Sequence, residues 1–274
     1  MEHLRRSDNR SNEQIRQIWI TSDPLRYAAS SILFELGDTK VLCAVNIAPG
    51  VPHFLRGKKC GWLNAEYALL PSSTHVRTVR EITQMKRSGR STEISRLIGR
   101  VLRTIINFEA IGECTISVDC DVLQADGGTR TASITAASMA LVLAQTRWIS
   151  QGVIAQPFLL ETVAAISVGI FDGQVLVDPD YAEDSMLEAD FNLIVTSSGS
   201  LVEIQGGAER APVAWDLFEK VRLNAQQSIA FLFSTVNQTL QTFPLLSPQP
   251  PALLSKKLQR MPSSQFSLKN RMNI

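Results

Sequence analysis

A chain of 274 residues holds enough material for one large domain or two small ones, with a sizeable core. Its hydrophobic content of 45% and charged content of 19% are those of a soluble globular protein, and a net charge of +1 favours no class of partner. No apolar run approaches the ~20 residues of a membrane-spanning helix, and the charged stretch from Met1 to Arg16 lacks the apolar centre of a secretory signal, so no membrane association is expected and the expected location is cytoplasmic.

Taken in chain order, Ser31–Leu36 and Lys40–Ile47 read as strands of a hairpin closing over Gly37-Asp38-Thr39. Between Thr92 and Phe108 the apolar residues Ile94, Leu97, Ile98, Val101, Leu102, Ile105 and Phe108 recur at helical spacing. Thr115–Leu123 alternates Ile116, Val118, Cys120 and Val122 with polar neighbours, the pattern of a half-buried strand. A second helix is expected over Arg130–Trp148. Val163–Phe171 and Gln174–Val177 flank Asp172-Gly173, a strong two-residue hairpin signal. Phe191–Thr196 and Leu201–Gln205 close around Ser198-Gly199, and a last helix is expected from about Pro212, with the proline in its first turn, to about Leu240. Hairpins mixed with long helices, without strict alternation, predict an α+β fold of mixed β-sheets with packed helices.

Residues 1–240 read as one domain. Beyond Gln241 the chain is rich in proline and carries Lys256, Lys257, Arg260, Lys269 and Arg271, with no acidic residue after Glu219. The segment 241–274 is therefore expected to be a mobile basic tail, either simply solvated or touching RNA. The four cysteines form no Cys-x-x-Cys pair and only three histidines accompany them, which argues against a disulfide scaffold or a zinc site. Cys43 and Cys120 fall in strand-like runs and are expected in the core.

Charge is sorted into blocks. From Arg77 to Arg103 there are eight basic residues (Arg77, Arg80, Lys86, Arg87, Arg90, Arg96, Arg100, Arg103) against Glu81 and Glu93, whereas Asp172 to Asp190 holds seven acidic residues and no basic one. The first block suits a polyanion and the second a hard divalent cation; each alone is also what a solvated face looks like. Asp126-Gly127-Gly128-Thr129-Arg130-Thr131 lies between a strand and a helix start. Paired glycines, free helix N–H groups, a hydroxyl and a guanidinium together suit a phosphate. The alternative is a tight turn with Arg130 paired to Asp126. Gly89-Arg90-Ser91-Thr92 precedes the other amphipathic helix and offers a second anion site or an ordinary cap. In Asp178-Pro179-Asp180-Tyr181-Ala182-Glu183-Asp184, the pair Asp178 and Asp184 is favoured to hold one Mg²⁺, with Asp180 and Glu183 as turn or surface residues; the opposite assignment stays open.

These segments resemble the ribonuclease PH family. The resemblance is carried by Phe34 to Cys43, Gly61 to Tyr67, Arg90 to Arg96, Asp119 to Thr135, the Asp178–Asp184 turn and Glu203-Ile204-Gln205-Gly206, in that order. It implies the ribonuclease PH fold (ribosomal protein S5 domain 2-like) with an internal pseudo-repeat, and a homohexameric ring built as a trimer of dimers. It implies the activity of a phosphate-dependent 3′→5′ exoribonuclease that trims the 3′ ends of tRNA precursors and other RNAs and releases nucleoside 5′-diphosphates. Under this resemblance Arg90, Gly128, Thr129 and Arg130 bind inorganic phosphate, Asp178 and Asp184 are the catalytic, Mg²⁺-associated acids, and Arg77 and Arg80 serve RNA binding and the ring interfaces. The sequence departs from the family pattern at Ser7, Asn9, Ser72, Gly207 and Arg210. Two other readings remain: a non-catalytic RNA-binding ring subunit, and a hydrolytic Mg²⁺ nuclease that would yield nucleoside monophosphates.

Overall fold

The computed structural model describes residues 6, 8–85, 88–210 and 212–243. Lys86 and Arg87 of the basic block, Ser7, and residues 244–274 of the expected tail lie outside that range.

The first sheet has the order β1-β2-β3-β5-β4, with β1 at Ile18–Ser22, β2 at Ser30–Leu36, β3 at Thr39–Pro49, β4 at Trp62–Leu69 and β5 at Cys114–Gln124. The hairpin register sets Leu36 opposite Thr39, so the turn is Gly37-Asp38 and Thr39 already belongs to the strand. β4 runs parallel to β5 and is joined to it through helix α1, Gly89–Thr104, as a parallel pair requires. β1 and β4 were not among the expected strands. In β4 the alternation is nevertheless legible, since Leu63, Ala65 and Tyr67 are buried while Asn64 and Glu66 are exposed. Cys43 and Cys120 face each other across β3 and β5 as free, buried thiols 3.1 Å apart at sulfur.

The second sheet is antiparallel, β7-β6-β8-β9, with β6 at Val163–Phe171, β7 at Gln174–Val177, β8 at Ala189–Thr196 and β9 at Leu201–Ala208. Asp172 and Gly173 both take positive φ (46° and 66°), the geometry of a tight hairpin turn. The single-turn helix α3, Tyr181–Asp184, follows β7. Helix α4, Trp215–Thr242, covers the sheet with Val221, Ala225, Ile229 and Leu232. It starts at an Ala214 cap, so Pro212 precedes the helix rather than sitting in its first turn.

Helix α2, Thr129–Ser150, packs against β2 and β3 of one sheet and β6 of the other. Its middle is small and buried on nearly every side (Ala132, Ile134, Ala136, Ala137, Ala140), which lets two sheets approach one helix. The buried hydroxyls are paired: Thr135 and Ser138 accept from the N–H groups of Ala165 and Val163 at 3.1 and 3.0 Å. Val163, Ala165 and Ile194 of the second sheet consequently share one apolar cluster with the first. Helix α1 begins and ends earlier than its apolar spacing suggests. The Ser88 hydroxyl caps it by accepting from Ser91 N–H at 2.9 Å, and the Asn107 side chain, accepting from Glu109 N–H at 3.1 Å, starts a separate short turn at Phe108–Ile111.

Candidate active site

Strand β5 ends at Gln124 and the chain turns through Asp126-Gly127-Gly128 into α2. Gly128 is the cap residue at φ 65° and ψ 20°, and it brings no side-chain acceptor, so the first N–H groups of α2 stay available to a ligand. Gly127, at φ 75°, lies so close to the Pro179–Asp180 backbone that a Cβ would overlap the Pro179 carbonyl oxygen. The glycine turn is thus packed directly on the acidic turn. Thr39 Oγ1 donates to the Gly127 carbonyl at 2.6 Å and accepts from Asp126 N–H at 3.0 Å, holding the turn from below.

One polar cavity of about 310 Å³ gathers Arg90, Gly128, Thr129 and Arg130 on one side and Asp184, Asp190, Asn192, Ser167 and Glu209 on the other. That is the size of a small-ligand site. Thr129 shares a 2.9 Å hydrogen bond with the buried Tyr67 hydroxyl, and Arg90, in the first turn of α1, acts electrostatically on that same hydroxyl. Burial raises the Tyr67 phenol above its ordinary value, opposed by the Thr129 bond and the Arg90 charge. Arg130 donates to Gln205 Oε1 at 3.2 Å and lies 3.8 Å from Glu93. The alternative pairing of Arg130 with Asp126 is not adopted; Asp126 instead faces Arg16 at 3.5 Å and accepts from Tyr181 N–H at 3.2 Å.

On the acidic side, burial and then the neighbouring Asp190 charge push the Asp184 carboxyl up; Arg90 and Arg130 pull it down while Glu209 adds to the rise. Asp190 and Asn192 are two apart in β8 and therefore share its cavity-facing side. Gly206 of β9, paired with Phe191, keeps this strand edge closed: a Cβ there would overlap the Asp190 carbonyl oxygen.

The favoured carboxylate pair needs correction. Asp178 does not line the cavity. It is 1% exposed, and both its oxygens are occupied by Arg16: Oδ2 accepts from the Arg16 backbone N–H and Nε at 2.8 and 2.9 Å, and Oδ1 from Nη2 at 2.7 Å. The carboxylates that accompany Asp184 at the cavity are Asp190, whose charge acts on it more strongly, and Glu209. Glu183 is also no surface group. It is buried, bonded bidentately by Arg6 at 2.8 and 2.8 Å, and completes a capping box with Asp180. Arg77 and Arg80 are exposed in the segment before α1 and do not line the cavity of a single chain.

Among the described residues no cluster of three or more His, Cys, Asp or Glu has metal-holding geometry. Asp184 and Asp190, with Glu209 on the same cavity, nevertheless fit a hard cation that retains several waters: burial first and then the neighbouring acids push the Asp184 carboxyl up, and such an ion relieves their repulsion. Residues missed from the sequence include Asp190, Asn192, Ser167 and Glu209. Two polar residues at i and i+2 in an otherwise apolar strand are the signal that marks Asp190 and Asn192. Arg6, Arg10 and Arg16 give no signal in the sequence beyond N-terminal charge. Asn9, standing where the family has glycine, sits at φ 60°, a conformation asparagine tolerates, so the turn between Arg6 and Arg10 survives that departure.

Comparison with known proteins agrees with this architecture. Residues 14–147 match the 3′ exoribonuclease family, domain 1, and residues 161–228 match domain 2 of the same family. Among solved structures, Rrp46 of rice (Oryza sativa) superposes with a TM-score of 0.69 at 21% identity, covering 86% of this chain and 100% of that one. The Archaeoglobus fulgidus exosome with RNA bound to its active site gives 0.70 at 20% identity, covering 85% and 92%. An archaeal exosome core gives 0.67 at 20% identity, covering 84% and 90%. Both halves of the fold are accounted for by one assignment: the chain belongs to the ribonuclease PH family of 3′ exoribonucleases.

Proposed function

We propose that this protein is a phosphate-dependent 3′→5′ exoribonuclease that trims the 3′ ends of RNA, tRNA precursors among them, as a homohexameric ring. The observation that carries the reading is the single cavity in which two guanidinium groups and the uncapped start of a helix face the carboxylates of Asp184, Asp190 and Glu209. Arg90, Thr129, Arg130 and the N–H groups beside Gly128 hold orthophosphate. One phosphate oxygen attacks the terminal phosphorus of the RNA strand and the O3′ of the preceding nucleotide leaves, giving a nucleoside 5′-diphosphate and a shortened RNA. Phosphate is already anionic at neutral pH, so the step asks for positioning and charge stabilisation rather than a strong base, which suits a cavity without histidine. Asp184 and Asp190 are the residues to hold Mg²⁺, which when bound would offset charge on the reacting phosphoryl oxygens. Arg77 and Arg80 are assigned to the RNA strand or to ring contacts.

The test is purified protein with a 3′-extended tRNA, with and without phosphate, followed by product chromatography and sizing of the oligomer. Diphosphate release that requires phosphate is expected. Equal trimming without phosphate, or monophosphate products, would refute phosphorolysis, and RNA binding without any trimming would mark a non-catalytic ring subunit. Arg130→Ala is expected to lose about 1.5–3 kcal/mol of phosphate binding, the value of a hydrogen bond to a charged group.

A further inference from the structure

We infer that Arg16 and Asp178 are a positioning pair that fastens the phosphate corner to the acidic turn, so that the two sides of the cavity keep one spacing. This deepens the phosphorolytic reading and rests on it. Asp178 sits at the end of β7 with φ 50°, its N–H donating to the Ser167 carbonyl at 2.8 Å, and its carboxylate is filled by three Arg16 N–H groups. Arg16 then reaches across. Its Nη1 donates to the Asp126 carbonyl, and its Nη2 lies 3.4 Å from that of Gly127, so one guanidinium binds both turns. The pair lies immediately behind the capping glycine. A Cβ on Gly128 would stand 3.4 Å from Arg16 Nη2 and 3.7 Å from Asp178 Oδ1.

Neither residue lines the cavity, so neither touches the substrates. Their side chains are 5% and 1% exposed. A charge pair buried this deeply holds its geometry because each partner, left alone, would be a charge without solvent. Burial works against the Arg16 charge, and the hydrogen bonds and charge of Asp178, with the charges of Asp126 and Asp180, together outweigh it. Arg6 and Arg10 add a second tie, donating to the Asp178 carbonyl at 3.0 and 3.2 Å. The N-terminal segment is therefore part of the cavity's frame.

The experiment compares wild-type protein with Arg16→Lys, Asp178→Asn and the double variant. Orthophosphate affinity is read by calorimetry, and KM for phosphate, kcat and the Mg²⁺ requirement are read in the trimming assay. Each single variant is expected to weaken phosphate binding and to lower kcat/KM for phosphate by up to about 100-fold, the rate cost that a misplacement of about 1 Å can carry. The double variant is expected to be no worse than the poorer single one, with the Mg²⁺ requirement unchanged. Thr39→Val, which releases the same turn from a neutral hydroxyl, should raise KM for phosphate in the same direction, and it carries the test if a charge variant fails to fold. Unchanged phosphate affinity in Thr39→Val and in the folded charge variants overturns the inference. So does an Asp178→Asn protein that needs more Mg²⁺ while Arg16→Lys does not. Wild-type protein that binds phosphate but forms no diphosphate would defeat the functional reading alone, and the pair would then be judged on the calorimetry.

Discussion

Gly206 and Gly207 are adjacent in the edge strand β9, yet their surroundings differ sharply. Gly206 has φ 147°, and a Cβ built on it would overlap the Asp190 carbonyl oxygen and come within 2.7 Å of Phe191 Cα. All the nearby atoms are backbone, so no side chain can swing aside. In Gly206→Ala the overlap resembles an overpacked core, about 1–3 kcal/mol, and the backbone conformation costs an L-residue of order 1–3 kcal/mol more. A central sum of about 4 kcal/mol corresponds to a fall in Tm of roughly 8–16 °C for a chain of this size. Gly207 meets nothing within 4 Å, so Gly207→Ala should stay within about 0.5 kcal/mol of wild type. Thermal melts of the three proteins at one concentration decide the matter. Equal melting of Gly206→Ala and wild type, or equal damage from both substitutions, would refute the argument that β9 is held against Asp190 by backbone proximity.

Other consequences follow from charge. Arg6→Ala leaves the Glu183 carboxylate buried without its bidentate partner, a loss of about 3–5 kcal/mol measurable by urea unfolding, while Arg6→Ala combined with Glu183→Gln should recover part of it. Asp119 in β5 is raised by burial, with Asp121 and Glu66 adding to the shift; the folded chain thus takes up protons more readily than the unfolded chain, and stability falls as pH rises from about 4 through the raised value. Asp119→Asn should therefore melt higher than wild type at pH 7, and the advantage should vanish below about pH 4 in a pH series of melts.

Much of the fold was legible because periodicity is local. The apolar residues of α1, the alternation in β5 and the Asp172-Gly173 turn announce themselves without tertiary information. The phosphate corner was legible for the same reason, as a short contiguous run ahead of a helix. The acidic half was not. Spacing along the 178–184 turn gives no clue that Asp178 points inward to Arg16, 162 residues away in sequence, because that choice is made by burial and by a partner on another element. Likewise Glu183 looks like a surface acid until Arg6 is placed beside it. In the sequence Asp190 is one member of an acidic block, whereas strand register is what brings it to the cavity beside Asn192. Helix ends moved by a few residues wherever a side-chain cap such as Ser88 or Asn107 outweighed apolar spacing.

Helix α2 is a partition wall with a binding tip. Both sheets lean on its length while its first turn faces the cavity, so the apolar cluster that joins the two sheets is built around this wall, while a separate cluster lies between the second sheet and α4. Amides in the middle of α2 should exchange with solvent only when the whole unit opens. An anion seated at the tip would then tighten both sheets at once, protecting strands far from the ligand; at a concentration a hundred times its dissociation constant, the gain spread across the molecule is about 2.7 kcal/mol.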